Sequence, residues 1–243
     1  MNILEIAKEA ADICAVQRPT DLFDNTSQND QLFASVAKDA LSSLMRHANW
    51  EALLRETTLY TNENQKDYLI DDIAPDFHSL VNATIYMKDD MRYVIGAITE
   101  ERWAREKQFH IPEIDLLFKI QNNMIRFLKH PPEGCVIKFV YKSNAICLDA
   151  KTQEPKSQIT ANTDIPIFDH YLVKLGIIWR WNKRTGLDYT EEYNEYQREL
   201  EKSYAEKKAA GDIDLAYNVN IFDDPNGGVI VDGYTTSKPC CEV

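Results

Sequence analysis

The chain has 243 residues, of which 44% are hydrophobic and 27% are charged, enough for one core or a core with a smaller appended domain. Its 39 acidic and 27 basic residues give a formal net charge of −12, the opposite of the balance that coating a nucleic acid requires. Only 8 residues are glycine, so few positions favour close backbone approach to a phosphate. Composition therefore disfavours nucleic-acid-coating proteins and nucleotide-cradling enzymes.

Targeting and redox features are few. The sequence has no apolar run long enough to span a membrane, and its first residues lack the charged start and apolar core of a signal peptide. No CxxC spacing occurs, which predicts reduced thiols in a cytosolic chain rather than a disulfide framework. The five cysteines are Cys14, Cys135, Cys147, Cys240 and Cys241.

Two amphipathic helices are predicted at the N-terminal end. Apolar residues recur every three or four positions over 3–13 and again over 32–45. Asn29 or Asp30 is expected to cap the second helix by accepting hydrogen bonds from free backbone N–H groups. Trp50, which closes the segment, is predicted to be a core anchor.

The middle of the chain is rich in β-branched and aromatic residues, which predicts short strands and, from their number, a small β-sandwich or barrel. Asp89-Asp90 and 121–123 are expected to form hairpin turns, the latter because Asn tolerates left-handed backbone. Thr99 is predicted to cap a helix over 100–107. In the last strand, Lys138 and Lys142 are expected to face away from its apolar side. The predicted strands cover 56–61, 81–86, 91–95, 116–120, 124–128 and 135–142.

The chain then returns to helix. A net-basic helix is predicted over 165–186, with Pro166 in its first turn and Gly186 as its C-cap. A second helix, over 188–211, carries an apolar stripe of Tyr189, Tyr193, Tyr196, Leu200 and Tyr204. Residues 212–243 contain six acids and one base, and they are predicted to be extended or disordered.

These elements together predict an α+β fold with three parts. The N- and C-terminal helices (1–55 and 164–211) form a helical bundle domain. A β-rich domain is inserted between them over 56–163, and 212–243 form an extended C-terminal tail.

Motifs that carry chemistry are missing from the sequence. It has no phosphate-binding loop, no GxGxxG, no nucleophile elbow and no HExxH, and no histidine stands at metal-ligand spacing from another histidine or a cysteine. Adjacent carboxylates occur at Asp71-Asp72, Asp89-Asp90 and Asp223-Asp224, but neighbours on a strand point to opposite faces. We therefore predict a protein that is not an enzyme, with no catalytic residue, no metal ligand and no cofactor.

One short stretch combines aromatic and basic residues: Trp179, Arg180, Trp181, Lys183 and Arg184. Such a set can stack on nucleic-acid bases. It can equally form a protein interface, where Trp and Arg are enriched, with Trp179 in the core and Arg180 and Trp181 facing a partner chain. The acidity of the chain favours the protein interface.

Five stretches, in order over residues 1–211, resemble the head-to-tail adaptor proteins (connectors or tail accessory factors) of tailed bacteriophages. They are similar to the family's HDWQAL-like helix end, its PxDF entry, its LTPxRW segment, its LxFxPxP…FxY strands and its C-terminal helices. The stretches are 48–53, 74–77, 98–103, 124–141 and 178–193.

The resemblance implies a structural virion protein at the head–tail junction, assembled in the host cytoplasm. It implies a homo-oligomeric ring, typically of twelve copies, that binds below the portal protein and connects it to the tail nozzle or other tail proteins. DNA would pass through the lumen without sequence-specific binding, and no membrane is involved. The alternatives are another tail-completion or decoration protein, or a small metal-dependent hydrolase.

A ring subunit needs two complementary surfaces. The helix over 165–186 has four bases and one acid, whereas 187–211 has seven acids and four bases, so these opposite charges could set the register between subunits. The acidic balance predicts a lumen that repels phosphate. The apolar residues of the tail are predicted to dock on the portal or a neighbouring subunit: Phe222, Val229, Ile230, Val231 and Tyr234.

Overall fold

The computed structural model describes residues 1–24, 27–62, 64–81, 84–88, 94–109 and 116–209. Within these ranges the protein is a mixed α+β structure, as the sequence predicted. Residues 1–201 form one compact unit, and the described part of the second unit, 202–243, is the end of the last helix. The predicted tail, its five docking residues, Asp89-Asp90, Asp223-Asp224, Cys240 and Cys241 lie outside the described residues.

The described residues contain six helices and eleven strands. The helices are α1 (Ile3–Ile13), α2 (Gln28–His47), α3 (Ile70–Ile73), α4 (Glu100–Phe109), α5 (His170–Thr185) and α6 (Thr190–Ala209). The strands are β1 (Leu54–Tyr60), β2 (Asp67–Leu69), β3 (Phe77–Leu80), β4 (Tyr86–Met87), β5 (Val94–Ile95), β6 (Leu116–Gln121), β7 (Met124–Phe127), β8 (Val136–Ser143), β9 (Cys147–Leu148), β10 (Pro155–Lys156) and β11 (Ile165–Pro166).

Helices α1, α2 and α5 pack around one hydrophobic core. A capping box starts α1, in which the Asn2 side chain accepts from the Glu5 N–H at 2.9 Å and the Glu5 carboxylate accepts from the Asn2 N–H at 3.0 Å. The predicted cap of α2 was wrong: Ser27 is the N-cap, and Asp30 lies in the first turn, where it is buried. The helix therefore begins earlier than its apolar stripe.

Trp50 is a core anchor, as predicted, with 4% of its surface exposed. Its indole N–H donates to the carbonyl of Leu44 at 2.6 Å, so the buried polar atom is satisfied. The small sheet β10-β9-β11 supplies Ile146 and Cys147 to the same core. Residues within the range 56–163 thus pack with the helices.

Two four-stranded sheets share a second hydrophobic core. In the first sheet, β8 pairs with β1 on one side and with β3 and then β4 on the other, and all these pairings are antiparallel. The second sheet has the order β2-β7-β6-β5. Asn122 and Asn123, at φ 52° and 58°, join β6 and β7 in the tight hairpin that the sequence predicted.

The segments on either side of Asp89-Asp90 each pair with a distant strand. The Val94 N–H donates to the carbonyl of Ile85 at 3.3 Å, while β4 pairs with β8 and β5 pairs in parallel with β6; the predicted turn itself lies outside the described residues. On β8, Lys142 lies on the face opposite Phe139 and Tyr141, as predicted, and this face is also covered: Lys142 is 4% exposed, and burial lowers its pKa. Pairing with distant strands and burial of the second face are not reported by the local pattern.

The start of α5 also differs from the prediction. Pro166 is in β11, opposite Cys147, and α5 begins at His170. Asp169 is the N-cap, because its carboxylate accepts from the N–H groups of Tyr171 at 2.9 Å and Leu172 at 3.1 Å. Gly186 ends the helix in the left-handed conformation at φ 79°, as predicted.

Candidate functional site

The junction of α5 and α6 positions most of the predicted interface residues. After Gly186 reverses the chain, the N–H of Leu187 donates to the carbonyl of Asn182 at 2.9 Å and closes the turn. The aromatic stripe of α6 then faces the last two turns of α5. Trp179 and the tyrosines of α6 are brought together in this way.

Trp179 lies among three tyrosine rings. Its ring centroid is 5.2 Å from that of Tyr193, 6.0 Å from that of Tyr196 and 6.2 Å from that of Tyr189. Tyr196 is 3% exposed, whereas Tyr193 is 38% exposed, so the cluster has one buried and one open side. The indole N–H of Trp179 is buried, and no described residue accepts a hydrogen bond from it.

Arg180 covers the buried side of this cluster. Its guanidinium carbon lies 4.2 Å from the Trp179 ring centroid and 5.6 Å from that of Tyr196, and its Nη1 donates to the carbonyl of Gly176 at 2.9 Å. Burial lowers the pKa of Arg180 and raises the pKa of Tyr196. The guanidinium is thus held in one orientation by stacking and by a backbone acceptor.

Gly176 lies on the face of α5 that packs against α2 and α6. A Cβ at this position would lie 3.4 Å from Ala40 Cβ, from Arg180 Nη1 and from Tyr196 Cε2, which is the short end of ordinary van der Waals contact. A glycine inside a helix costs about 1 kcal/mol relative to alanine.

Lys183 supplies the exposed cation of the site. Its ammonium lies 5.9 Å from the Trp179 ring centroid and 5.8 Å from that of Tyr189. We refer to Trp179, Arg180, Lys183, Tyr189, Tyr193 and Tyr196 as the Trp179 cluster.

Trp181 does not belong to the Trp179 cluster, and the prediction that it faces a partner while Trp179 lies in the core was wrong. Trp181 is 3% exposed and stacks on Phe33 with ring centroids 4.0 Å apart. Residues two apart on a helix point about 200° apart, so Trp179 and Trp181 face opposite ways. Trp179 is the one at the partly exposed surface.

Two bases of the predicted basic helix, one of them the predicted interface residue Arg184, bind groups of their own subunit. Arg184 donates to Ser35 Oγ at 2.8 Å and pairs with Asp39, both on α2. Lys174 pairs with Glu9 of α1 at 3.0 Å. Of the four bases of the predicted basic helix, only Lys183 is exposed without an ion pair to a described residue.

The Trp179 cluster offers aromatic faces, a fixed guanidinium and one exposed ammonium, and Trp, Tyr and Arg are the residue types enriched at protein interfaces. The sequence placed the tyrosines on one helix stripe but did not reveal that they enclose Trp179. Within the described ranges, no group of three or more His, Cys, Asp and Glu residues could hold a metal ion. No helix in these ranges is long and apolar enough to cross a membrane.

No protein-family model matches the chain, and no curated protein sequence matches it.

Proposed function

We propose that the protein is a non-enzymatic structural component of a tailed-phage virion, a head-to-tail adaptor. Copies of the chain form a ring below the portal protein, connect it to the tail and let DNA pass through the lumen. The observation that carries the proposal is the set of five stretches, in family order, that resemble adaptor proteins. Three aromatic residues of these stretches lie at core positions: Trp50 in the helical core, and Phe127 and Phe139 in the core of the two sheets.

The expected architecture is a helical bundle with a β-rich insertion and an extended tail. Two separate hydrophobic cores support this division, one formed mainly by α1, α2 and α5 and the other by the two four-stranded sheets. A rigid helical part and a rigid β part would give the subunit two different surfaces for contact with neighbouring proteins. A ring between portal and tail requires such surfaces.

The Trp179 cluster is the proposed contact with a neighbouring protein. Trp, Tyr and Arg are the residue types that most often dominate binding energy at interfaces. Here the rings of Trp179 and Tyr193 pack against each other and Arg180 donates to the carbonyl of Gly176, so little side-chain entropy is lost on binding. Leu187, 55% exposed beside the cluster, adds apolar surface.

The test is to mix the full chain with portal protein and image the product by electron microscopy. A ring at the portal base is expected, with Lys183→Glu weakening binding and Lys151→Glu, an exposed lysine remote in sequence, leaving it unchanged. No ring with the wild-type chain, or equal loss in both variants, contradicts the proposal. A lumen lined mainly by Lys and Arg would contradict the separate expectation that the ring repels DNA phosphate.

Thermal unfolding distinguishes the adaptor from the alternative of a metal-dependent hydrolase. A divalent ion that binds the folded state specifically raises Tm with concentration. We expect no specific rise with Mg²⁺, Mn²⁺, Ca²⁺ or Zn²⁺, and a saturable rise with one of them would favour the hydrolase.

A further inference from the structure

A basic cleft of about 720 Å³ lies between α4 and the face of the sheet that contains β2, β7 and β6. Five cations line it, against two carboxylates, those of Asp67 and Glu106. This balance is the reverse of that of the whole chain, with its net charge of −12. The cations are Lys66, Lys107, Lys119, Arg126 and Lys129.

Lys119 holds the two walls of the cleft together. Its side chain is 8% exposed, its ammonium lies 2.9 Å from both carboxylate oxygens of Glu100, and it lies 4.8 Å from the ring centroid of Trp103. Glu100 and Trp103 are on α4 and Lys119 is on β6, so this contact fixes the helix on the sheet. The charge of Lys119 is neutralised in doing so.

Three of the other cations, Arg126, Lys66 and Lys107, are less fully compensated by described residues. Arg126 Nε is buried, makes no hydrogen bond to a described residue and lies 3.7 Å from Asp67 Oδ1. The ammonium groups of Lys66 and Lys107 form no ion pair with any described residue. An anionic ligand in the cleft would therefore gain attraction without first breaking a close ion pair of these two lysines.

Apolar surface also lines the cleft. Trp103 is half-buried, Phe127 is buried and Leu128 is half-buried. A cleft of this kind suits an acidic peptide that also carries an apolar side chain.

The chain itself contains such a peptide. Phe222 is followed directly by Asp223 and Asp224, within a segment, 212–243, that has six acids and one base. We propose that this acidic segment of one copy binds the basic cleft of a second copy, with Phe222 against the apolar surface and the two aspartates beside Lys66 and Lys107. The inference rests on the proposed ring and names the contact between its neighbours.

The reach of the segment matches this contact. Phe222 stands 13 residues beyond Ala209, the end of α6, and 13 residues of extended chain span at most about 45 Å. That length is about the diameter of an ordinary domain of about 200 residues, so the segment can reach an adjacent copy.

The test measures binding of a fluorescein-labelled peptide of residues 214–232 by fluorescence anisotropy. The receptor is the full chain carrying F222A/D223A/D224A, so that its own segment competes neither with the acidic peptide nor with the charge-swapped peptide described below. We expect saturable binding that weakens about tenfold when K66E/K107E is added and that falls with salt. The matched control, K88E/K151E, changes two exposed lysines outside the cleft and leaves binding unchanged.

A charge-swapped peptide tests whether the K66E/K107E receptor is still folded. The peptide with lysine at 223 and 224 should bind the K66E/K107E receptor better than the unaltered receptor. No saturable binding of the acidic peptide, equal loss in both lysine pairs, or no rescue by the swapped peptide overturns the inference. Saturable binding of a single-stranded oligonucleotide in the cleft, without peptide binding, overturns it in favour of a nucleic-acid site.

The two proposals fail separately. A ring on the portal that forms equally well with K66E/K107E would leave the adaptor function standing and remove this contact. Peptide binding with no ring on the portal would leave the contact and remove the adaptor function.

Discussion

The ring of Trp181 stacks on the ring of Phe33, with centroids 4.0 Å apart and an interplanar angle of 14°. Phe33 lies in α2 and Trp181 in α5, and both are buried. This stack therefore joins helices that are more than a hundred residues apart in the sequence and forms the centre of the helical core.

Replacing Trp181 with alanine is expected to lower the free energy of unfolding by about 3–5 kcal/mol, because it opens a cavity against Phe33. Trp179→Ala, which removes a side chain with one open side, should cost less, about 1–2 kcal/mol. Urea denaturation of both variants gives the comparison. Equal losses would show that Trp179 contributes as much to stability as a buried core residue, and a reversed order would contradict the burial of Trp181.

Asp164 is expected to be essential for the loop that precedes α5. Its side chain is fully buried, accepts from Lys156 Nζ at 2.9 Å and accepts from the N–H groups of Thr160 at 2.8 Å and Ala161 at 3.0 Å. Asp164→Ala leaves these donors without their acceptor and should cost about 3–5 kcal/mol.

Asp149 provides the control for Asp164. It lies 3.6 Å from the same Lys156 ammonium and accepts from the N–H groups of Lys151 and Thr152, but it is partly exposed, so Asp149→Ala should cost about 1–2 kcal/mol, less than Asp164→Ala. Thermal unfolding of both variants separates the two cases, and a similar Tm for both would show that the buried network contributes little.

Lys142→Met is expected to stabilise the protein at neutral pH. Burial lowers the pKa of Lys142, so the folded state holds its proton less strongly than the unfolded state does. The cost of the buried charge is present at neutral pH and declines as pH rises through the lowered pKa. The gain in free energy of unfolding should therefore shrink toward alkaline pH.

Lys138, on the same strand, is the matched control for Lys142. Its ammonium pairs with Glu56 at 2.8 Å, and that carboxylate raises the pKa of Lys138. Lys138→Met should be neutral or slightly destabilising. A gain from Lys138→Met as large as that from Lys142→Met would assign the effect to added apolar surface instead of relieved charge burial.

Cys147 is expected to resist alkylation in the folded protein. Burial raises the pKa of its thiol to about 12, with Asp164 contributing, and burial raises the pKa of Cys14 to about 11. At pH 8 the thiolate fraction of Cys147 falls about a thousandfold relative to a free thiol. Iodoacetamide labelling followed by peptide mapping should show modification of Cys147 only after denaturation, and rapid native labelling would contradict its burial.

Local features of the fold followed from the sequence. Thr99 caps α4 by accepting from the Arg102 N–H at 3.3 Å, Asn122-Asn123 form the β6–β7 turn, and Gly186 ends α5. Each of these depends on backbone preferences of a few adjacent residues, which are present in the sequence itself.

Strand pairing did not follow from the sequence. The strands β4 and β5 are close in sequence yet pair with β8 and β6, and β9 to β11 are only two residues long. Such short strands have little periodicity, and what stabilises them is pairing with neighbours from distant positions.

The net charge was also determined by the sequence, whereas the positions of the charges on the surface depended on the tertiary structure. The sequence by itself determined the total of −12 and the concentration of acids in 212–243, and it determined which residue types stand near Trp179. Only the tertiary structure decided that Trp179 lies at the surface and Trp181 in the core, and that Lys66, Lys107 and Arg126 line one cleft in an acidic protein. Composition and local periodicity depend only on the order of residues along the chain, so the sequence determines them. Burial and local charge depend on which distant segments pack together.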